Sequence, residues 1–179
     1  MTYLIIGAIL LLVLLPALSI LPSARQRQQM KMRRQAMEAG IAVELTSIAD
    51  PNPDQEKYVS STGKAIAPEL QLACYRLQRP RAGDWRRLPT VDWRLQKKAA
   101  LDGEQTFGHL VAVELPTDTM SDELLAFLAA KLSSLPQDVQ QVEEVSYNIA
   151  VYWQEREAGT EEAVIDFLKE CSQLPLHKT

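Results

Sequence analysis

Residue types that commonly bind metals or carry out catalysis are scarce in this 179-residue chain. Its two histidines (His109 and His177) and two cysteines (Cys74 and Cys171) form no CxxC, HxxxH or HxxE pattern. The seven glycines form neither a GxGxxG motif nor a P-loop, and no serine lies in a GxSxG turn. We therefore expect no metal site, no cofactor and no enzymatic activity.

The few remaining candidates for chemistry have simpler structural interpretations. His109 alternates with Val111 and Val113, which predicts that all three lie on a buried strand face. Cys74 and Cys171 fall on apolar faces, where a free thiol packs as a small core residue. We therefore expect these side chains to stabilise the fold rather than to react.

Charge is absent from the first 24 residues, and residues 3–21 are nearly all apolar. A helix of 19 residues spans about 28 Å, which is close to the thickness of a hydrocarbon core. This pattern predicts a transmembrane anchor over residues 1–21. A cleaved secretory signal is the alternative, but such signals begin with a basic region that this chain lacks.

Five basic residues follow the apolar run at once and predict the orientation of the anchor. Lys and Arg concentrate on the cytoplasmic side of membrane segments. We therefore expect the N-terminus outside and residues 22–179 in the cytoplasm, at the inner membrane if the chain is bacterial. The five residues are Arg25, Arg27, Lys31, Arg33 and Arg34.

Residues 22–39 predict a basic juxtamembrane helix that begins near Pro22 and ends before Gly40. The helix is polar on most sides, and its candidate packing residues are Met30, Ala36 and Met37. A solvated spacer is favoured over a helix that binds a partner.

Residues 40–179 predict one cytoplasmic domain of the α+β class. Its pattern favours two layers, with a mostly antiparallel sheet and two amphipathic helices on one face. Strands are predicted at 41–48, 69–77, 90–96, 108–115 and 144–153. Helices are predicted from about 121 to 135 and from about 160 to 174.

A second basic stretch, residues 75–98, carries eight Arg and Lys residues together with Tyr75, Trp85 and Trp93. We favour pairing of these bases with the acidic final third, residues 99–179, which has 15 acidic and four basic side chains. Contact with a membrane surface or a protein partner is the next interpretation, and the acidic final third disfavours nucleic acid. The candidate membrane or partner contacts are Arg25, Arg27, Lys31, Arg33, Arg34, Arg81, Trp85, Arg86 and Arg87.

The N-terminal layout of an apolar helix, Pro22 and a basic helix containing Arg25, Arg27 and Lys31, with Met37 and Gly40 beyond it, resembles the YajC family of preprotein translocase accessory subunits. This resemblance covers about 40 residues and implies a role beside the secretion channel. The stretch LPQDVQQVEEVSYNIAVYWQERE and the helix after it are similar to a group of uncharacterised bacterial single-pass membrane proteins.

Three functional hypotheses follow. The first is a membrane-anchored, non-catalytic accessory protein that binds the bilayer and a membrane-protein partner. The second is an anchored enzyme or ligand-binding domain, which a polar pocket at His109 or Cys74 would favour; no small-molecule ligand is expected under the first hypothesis. The third is a module that binds anionic lipid through Trp85 and its neighbouring arginines.

Overall fold

The computed structural model describes residues 22–53, 56–81, 83, 86, 88, 90–101 and 103–178. The anchor predicted over residues 1–21 lies outside these ranges. Within them, no helix has both the length and the apolar character needed to cross a membrane.

The described residues form an α+β fold, which confirms the predicted class and the antiparallel sheet. Seven strands form a single sheet in the order β1-β2-β7-β6-β3-β5-β4, and each neighbouring pair is antiparallel. The strands are β1 (Ala42–Ala49), β2 (Glu69–Gln78), β3 (Trp93–Gln96), β4 (Thr106–Phe107), β5 (Leu110–Glu114), β6 (Val139–Val145) and β7 (Asn148–Trp153). The helices are α1 (Ala24–Glu38), α2 (Asp122–Lys131) and α3 (Glu161–Gln173), and short 3-10 turns cover Glu56–Tyr58 and Leu132–Ser134.

One large hydrophobic core joins the sheet to all three helices. Met32 of α1, Leu128 of α2 and Leu168 of α3 belong to the same buried cluster as Tyr75 and Val151 of the sheet. A smaller cluster on alternate residues of β2 and β7 lies on the other face of the sheet. The large core therefore holds α1 as part of the same folded unit as residues 41–176.

The strand predicted over residues 144–153 is wrong, because this segment is the end of one strand, a turn and a second strand. Ser146 and Tyr147 have φ angles of 51° and 64°, which form the two-residue turn between β6 and β7. The turn places Val145 opposite Asn148, so Val145 and Ile149 lie on opposite faces of the sheet, although a continuous strand would place them on one face. The Asn148 side chain donates hydrogen bonds to the carbonyls of Val145 and Ser146.

The strand predicted over residues 108–115 is confirmed over Leu110–Glu114 but begins two residues later than predicted. Gly108 and His109 form the turn between β4 and β5, so His109 does not lie in a strand beside Val111. Leu110 is buried in the main core, whereas Val113 is exposed. The prediction that His109, Val111 and Val113 share one buried face is therefore wrong.

Gly108→Ala is expected to destabilise the domain by more than about 2 kcal/mol. Gly108 has φ of 61°, and an added Cβ would lie 2.9 Å from the Cα of Ser133. Left-handed backbone costs an L-residue about 1–2 kcal/mol, and the contact with backbone adds to it. Gly103→Ala is the control, because Gly103 has φ of 88° with nothing near the added Cβ. Chemical unfolding of both variants measures the difference, and equal losses would contradict a close approach at Gly108.

Candidate interaction surface

Helix α1 begins with a capping box and packs against the domain through its inner side. Ser23 accepts a hydrogen bond from the Gln26 backbone, and the Gln26 side chain accepts one from the Ser23 backbone. Met32 and Ala36 are buried, whereas Met30 is 49% and Met37 56% exposed. Of the three predicted packing residues only Ala36 is correct, and the prediction of a solvated spacer is wrong.

A buried carboxylate attaches α1 to the end of β7. Glu155 accepts hydrogen bonds from Arg33 Nε at 2.9 and 3.0 Å and from Arg33 Nη2, and it accepts another at 2.9 Å from the Tyr75 hydroxyl. Glu155 is almost fully buried and has a φ of 51°, a strained conformation for a residue other than glycine. We call Arg33, Tyr75 and Glu155 the helix clamp.

The electrostatics of the helix clamp favour the ionised pair. The hydrogen bond to Glu155 raises the pKa of Arg33 above its ordinary value. Burial raises the pKa of the Tyr75 phenol, and the charge of Glu155 raises it further. Tyr75 therefore stays protonated and donates to Glu155, while Arg33 supplies the balancing charge.

Three of the remaining basic residues of α1 point away from the domain. Arg27, Lys31 and Arg34 are exposed and follow an i, i+4, i+7 spacing, which places them on one side of the helix. That side lies opposite Met32 and Ala36 on a helical wheel. Of these three bases, Arg34 also pairs with exposed Glu38 at 2.8 Å. We call Arg27, Lys31 and Arg34 the basic stripe; Arg25 is exposed near the start of the helix.

Arg81, one of the candidate residues of the second basic stretch, lies near the other end of β7. Arg81 is exposed, and its guanidinium lies 5.7 Å from the centre of the Tyr147 ring, just before β7. Arg25 instead shares a cleft with Arg156, just after β7. Six strand residues separate these ends by about 17 Å, so the structure does not bring Arg81 and Arg25 together. Arg86 is exposed, and Trp85 and Arg87 lie outside the described residues.

Three described bases of the second stretch pair with the acidic final third, as predicted: Arg79, Arg94 and Lys98, the last with Glu104 at 2.7 Å. Arg79 and Glu144 are both buried; Arg79 Nε and Nη2 donate to the Glu144 carboxylate at 2.6 and 2.8 Å. Trp93 Nε1 donates to the same carboxylate at 3.0 Å, and Arg79 also donates to the Leu174 carbonyl. Burial lowers the pKa of Arg79, but the bonds and charge of Glu144 outweigh burial and raise it.

The second pairing lies on the opposite face of the sheet, around Glu143. Its carboxylate accepts hydrogen bonds from Arg94 Nε at 2.9 Å, Tyr152 at 2.7 Å and Gln141 at 2.9 Å. Burial raises the pKa of the Tyr152 phenol, and the hydrogen bond to Glu143 raises it further. Glu143 is thus fully engaged as an acceptor, as expected of a structural rather than a reactive carboxylate.

Cys74 and Cys171 are buried free thiols, which confirms that both pack in cores. Burial raises the pKa of each thiol, so neither forms the thiolate that a nucleophile requires. His109 is half-buried in its turn, and burial together with the charge of Lys97 lowers its pKa. Among the residues whose positions are described, no cluster of three His, Cys, Asp or Glu side chains could hold a metal ion.

A cleft of about 460 Å³ adjoins the buried Arg79. Tyr147, Leu176 and His177 line it, and the Tyr147 hydroxyl lies 3.4 Å from His177 Nε2. Neither His109 nor Cys74, the two positions where a polar pocket would favour a ligand-binding domain, is among its lining residues.

The fold and its surfaces therefore define an α+β domain whose N-terminal helix is held by a buried ion pair and carries bases on its outer side. No protein-family model, curated protein or solved structure matches the chain.

Proposed function

We propose that this chain is a single-pass, membrane-anchored and non-catalytic interaction protein, with its α+β domain at the cytoplasmic face of the inner membrane. Residues 1–21 form the anchor in this proposal, and α1 leads from it into the domain. The proposal extends the resemblance of the N-terminal region to translocase accessory subunits, and a membrane-protein partner beside the secretion channel follows from it.

The observation that carries this proposal is the helix clamp. A flexible spacer would let the domain move freely relative to an anchor. Arg33 and Glu155 instead fix α1 to the sheet, and the basic stripe faces outward from the same helix. Basic side chains close to anionic head groups contribute about 1 kcal/mol each. A domain held this way would present one defined surface to a membrane partner.

Neutralising the basic stripe is expected to disturb the orientation of the anchor. The variant Arg27→Gln, Lys31→Gln and Arg34→Gln removes three of the five bases that follow the apolar run. The readout is a cysteine at exposed Leu101, labelled from outside intact cells with a membrane-impermeant thiol reagent. We expect labelling near zero in the parent Leu101→Cys chain and a several-fold rise in the triple variant.

The matched control is Lys64→Gln, Arg156→Gln and Lys169→Gln, which removes three exposed bases far from the apolar run in sequence. We expect it to label like the parent. Strong labelling of the parent in intact cells would overturn the proposed orientation, and recovery of the chain outside the membrane fraction would overturn the anchor.

The proposed partner is tested by gentle solubilisation of membranes and identification of the proteins that co-purify with the full chain. Enrichment of secretion-channel subunits would support the translocase association. Enrichment of other membrane proteins, or of none, would contradict that association while leaving the anchor proposal intact.

A further inference from the structure

The two edges of the sheet differ in length and protection. Strand β4 is two residues long, and its turn packs against the 3-10 segment at Ser133. Strand β1 is eight residues long, and β2 is its sole strand neighbour within the part of the chain that the structure describes. A long edge strand exposes a row of backbone donors and acceptors that can pair with another chain, whereas very short edges are protected.

Exposed apolar side chains lie beside this open edge. Leu45 is 69% exposed and points to the helix-bearing face, in register with Ala73. Leu45, Gln29 and Arg33 line one cleft, so this side of α1 lies next to β1. Met30 and Met37 are exposed, one heptad apart, and lie within about 60° of Arg33 around the helix. We call Met30, Met37 and Leu45 the apolar rim.

We propose that β1 pairs antiparallel with β1 of a second copy of this chain. In this dimer Leu45 lies opposite its own counterpart on a two-fold axis perpendicular to the sheet. Val43 then lies opposite Ser47, and Glu44 opposite Thr46. Every pair shares a face, as antiparallel pairing requires, and the two apolar rims come together on the helix side.

Charge in β1 favours a second copy in this register. Glu44 is the single charged residue of the strand, and it already pairs with Arg76 at 3.3 Å. A register centred on Glu44 would place two carboxylates opposite each other, which destabilises a strand pair. Centring on Leu45 avoids this contact and buries an exposed leucine. The interface is isologous, so it closes as a dimer and does not propagate into a fibre.

The symmetry has a consequence for α1. A two-fold axis perpendicular to the sheet keeps both copies of α1 on the same side of one continuous sheet. Both basic stripes then face the same way, which suits two chains anchored in one bilayer. The strand pairing itself does not depend on the membrane proposal, because it rests on the β1 edge and the apolar rim alone.

Cysteine crosslinking and mass measurement test the dimer in the full chain. Opposite residues in antiparallel strands have Cα atoms about 4.5–5.5 Å apart, within the range that a disulfide bridges. Under mild oxidation of native membranes, Leu45→Cys is expected to convert most of the chain to a covalent dimer. Leu101→Cys is the matched control, since Leu101 is also 69% exposed, and is expected to stay monomeric.

Leu45→Lys is expected to lower the particle mass in mild detergent from two chains to one, whereas Leu101→Lys retains two. A monomeric parent, a dimer that survives Leu45→Lys, or Leu45→Cys that fails to crosslink would overturn the proposal. If Leu45→Cys crosslinks to a different protein, β1 pairs with a strand of that protein and not with a second copy of this chain. That result would also overturn the proposal.

Discussion

Glu144→Leu is expected to lower the free energy of unfolding by about 3–5 kcal/mol. Both members of the Arg79–Glu144 pair are buried, and removing one leaves a buried charge without its partner. The substitution also removes the hydrogen-bond acceptor of Trp93 Nε1 and of two Arg79 nitrogens. An unsatisfied buried group of this kind costs about 1–3 kcal/mol by itself.

The measurement is urea unfolding of the full chain in a mild detergent, followed by far-ultraviolet circular dichroism. The double variant Arg79→Leu and Glu144→Leu removes both charges, so we expect it to be more stable than Glu144→Leu alone. Arg34→Leu with Glu38→Leu removes an exposed pair, worth less than about 1 kcal/mol. If the losses of unfolding free energy in the single variants Arg79→Leu and Glu144→Leu add up to the loss in the double variant, the two side chains are not coupled and the account is contradicted.

Glu155→Ala is expected to release α1 from the sheet while the strands remain folded. The carboxylate accepts hydrogen bonds from Arg33 and Tyr75, and charge-assisted bonds of this kind contribute about 1.5–3 kcal/mol. Since 1.4 kcal/mol corresponds to a factor of ten, a loss of about 2–3 kcal/mol raises the open population of α1 by about 30–140-fold. Alanine adopts the positive φ of this position no better than glutamate, so the variant tests the side chain.

Limited trypsin digestion measures this release, because the basic stripe supplies cleavage sites within α1. We expect cleavage at Arg27 and Lys31 to accelerate by more than tenfold in Glu155→Ala. Glu38→Ala is the matched control, because it removes an exposed carboxylate from the same helix. Equal cleavage rates in the two variants would show that the helix clamp does not hold α1.

The regular elements were predictable where the sequence pattern is local. β1 and β2 alternate apolar and polar residues over their length, and α3 carries a clear amphipathic stripe. The hairpins at Ser146 and Gly108 were missed, because apolar residues happen to fall at every second position through the first turn (Val145, Tyr147 and Ile149) and just after the second (Val111 and Val113). Turn residues also gave no strong signal at Ser146-Tyr147, since neither is a glycine or an asparagine.

The helix clamp was not predictable from local pattern. Arg33 and Glu155 are separated by 122 positions in sequence, and nothing nearby distinguishes Arg33 from the other bases of α1. Charge composition did indicate the general outcome, because a basic middle and an acidic final third favour the pairs at Arg79 and Arg94. Charge composition does not identify the carboxylate with which each arginine pairs.

The central claim is that α1 is a fixed part of the domain rather than a flexible spacer. Hydrogen–deuterium exchange on the full chain in anionic lipid nanodiscs tests it most directly. We predict that backbone amides of residues 30–38 exchange as slowly as those of β2, and that Glu155→Ala speeds exchange in α1 but not in β2. Exchange of α1 within seconds in the parent chain, beside a protected β2, would contradict the account.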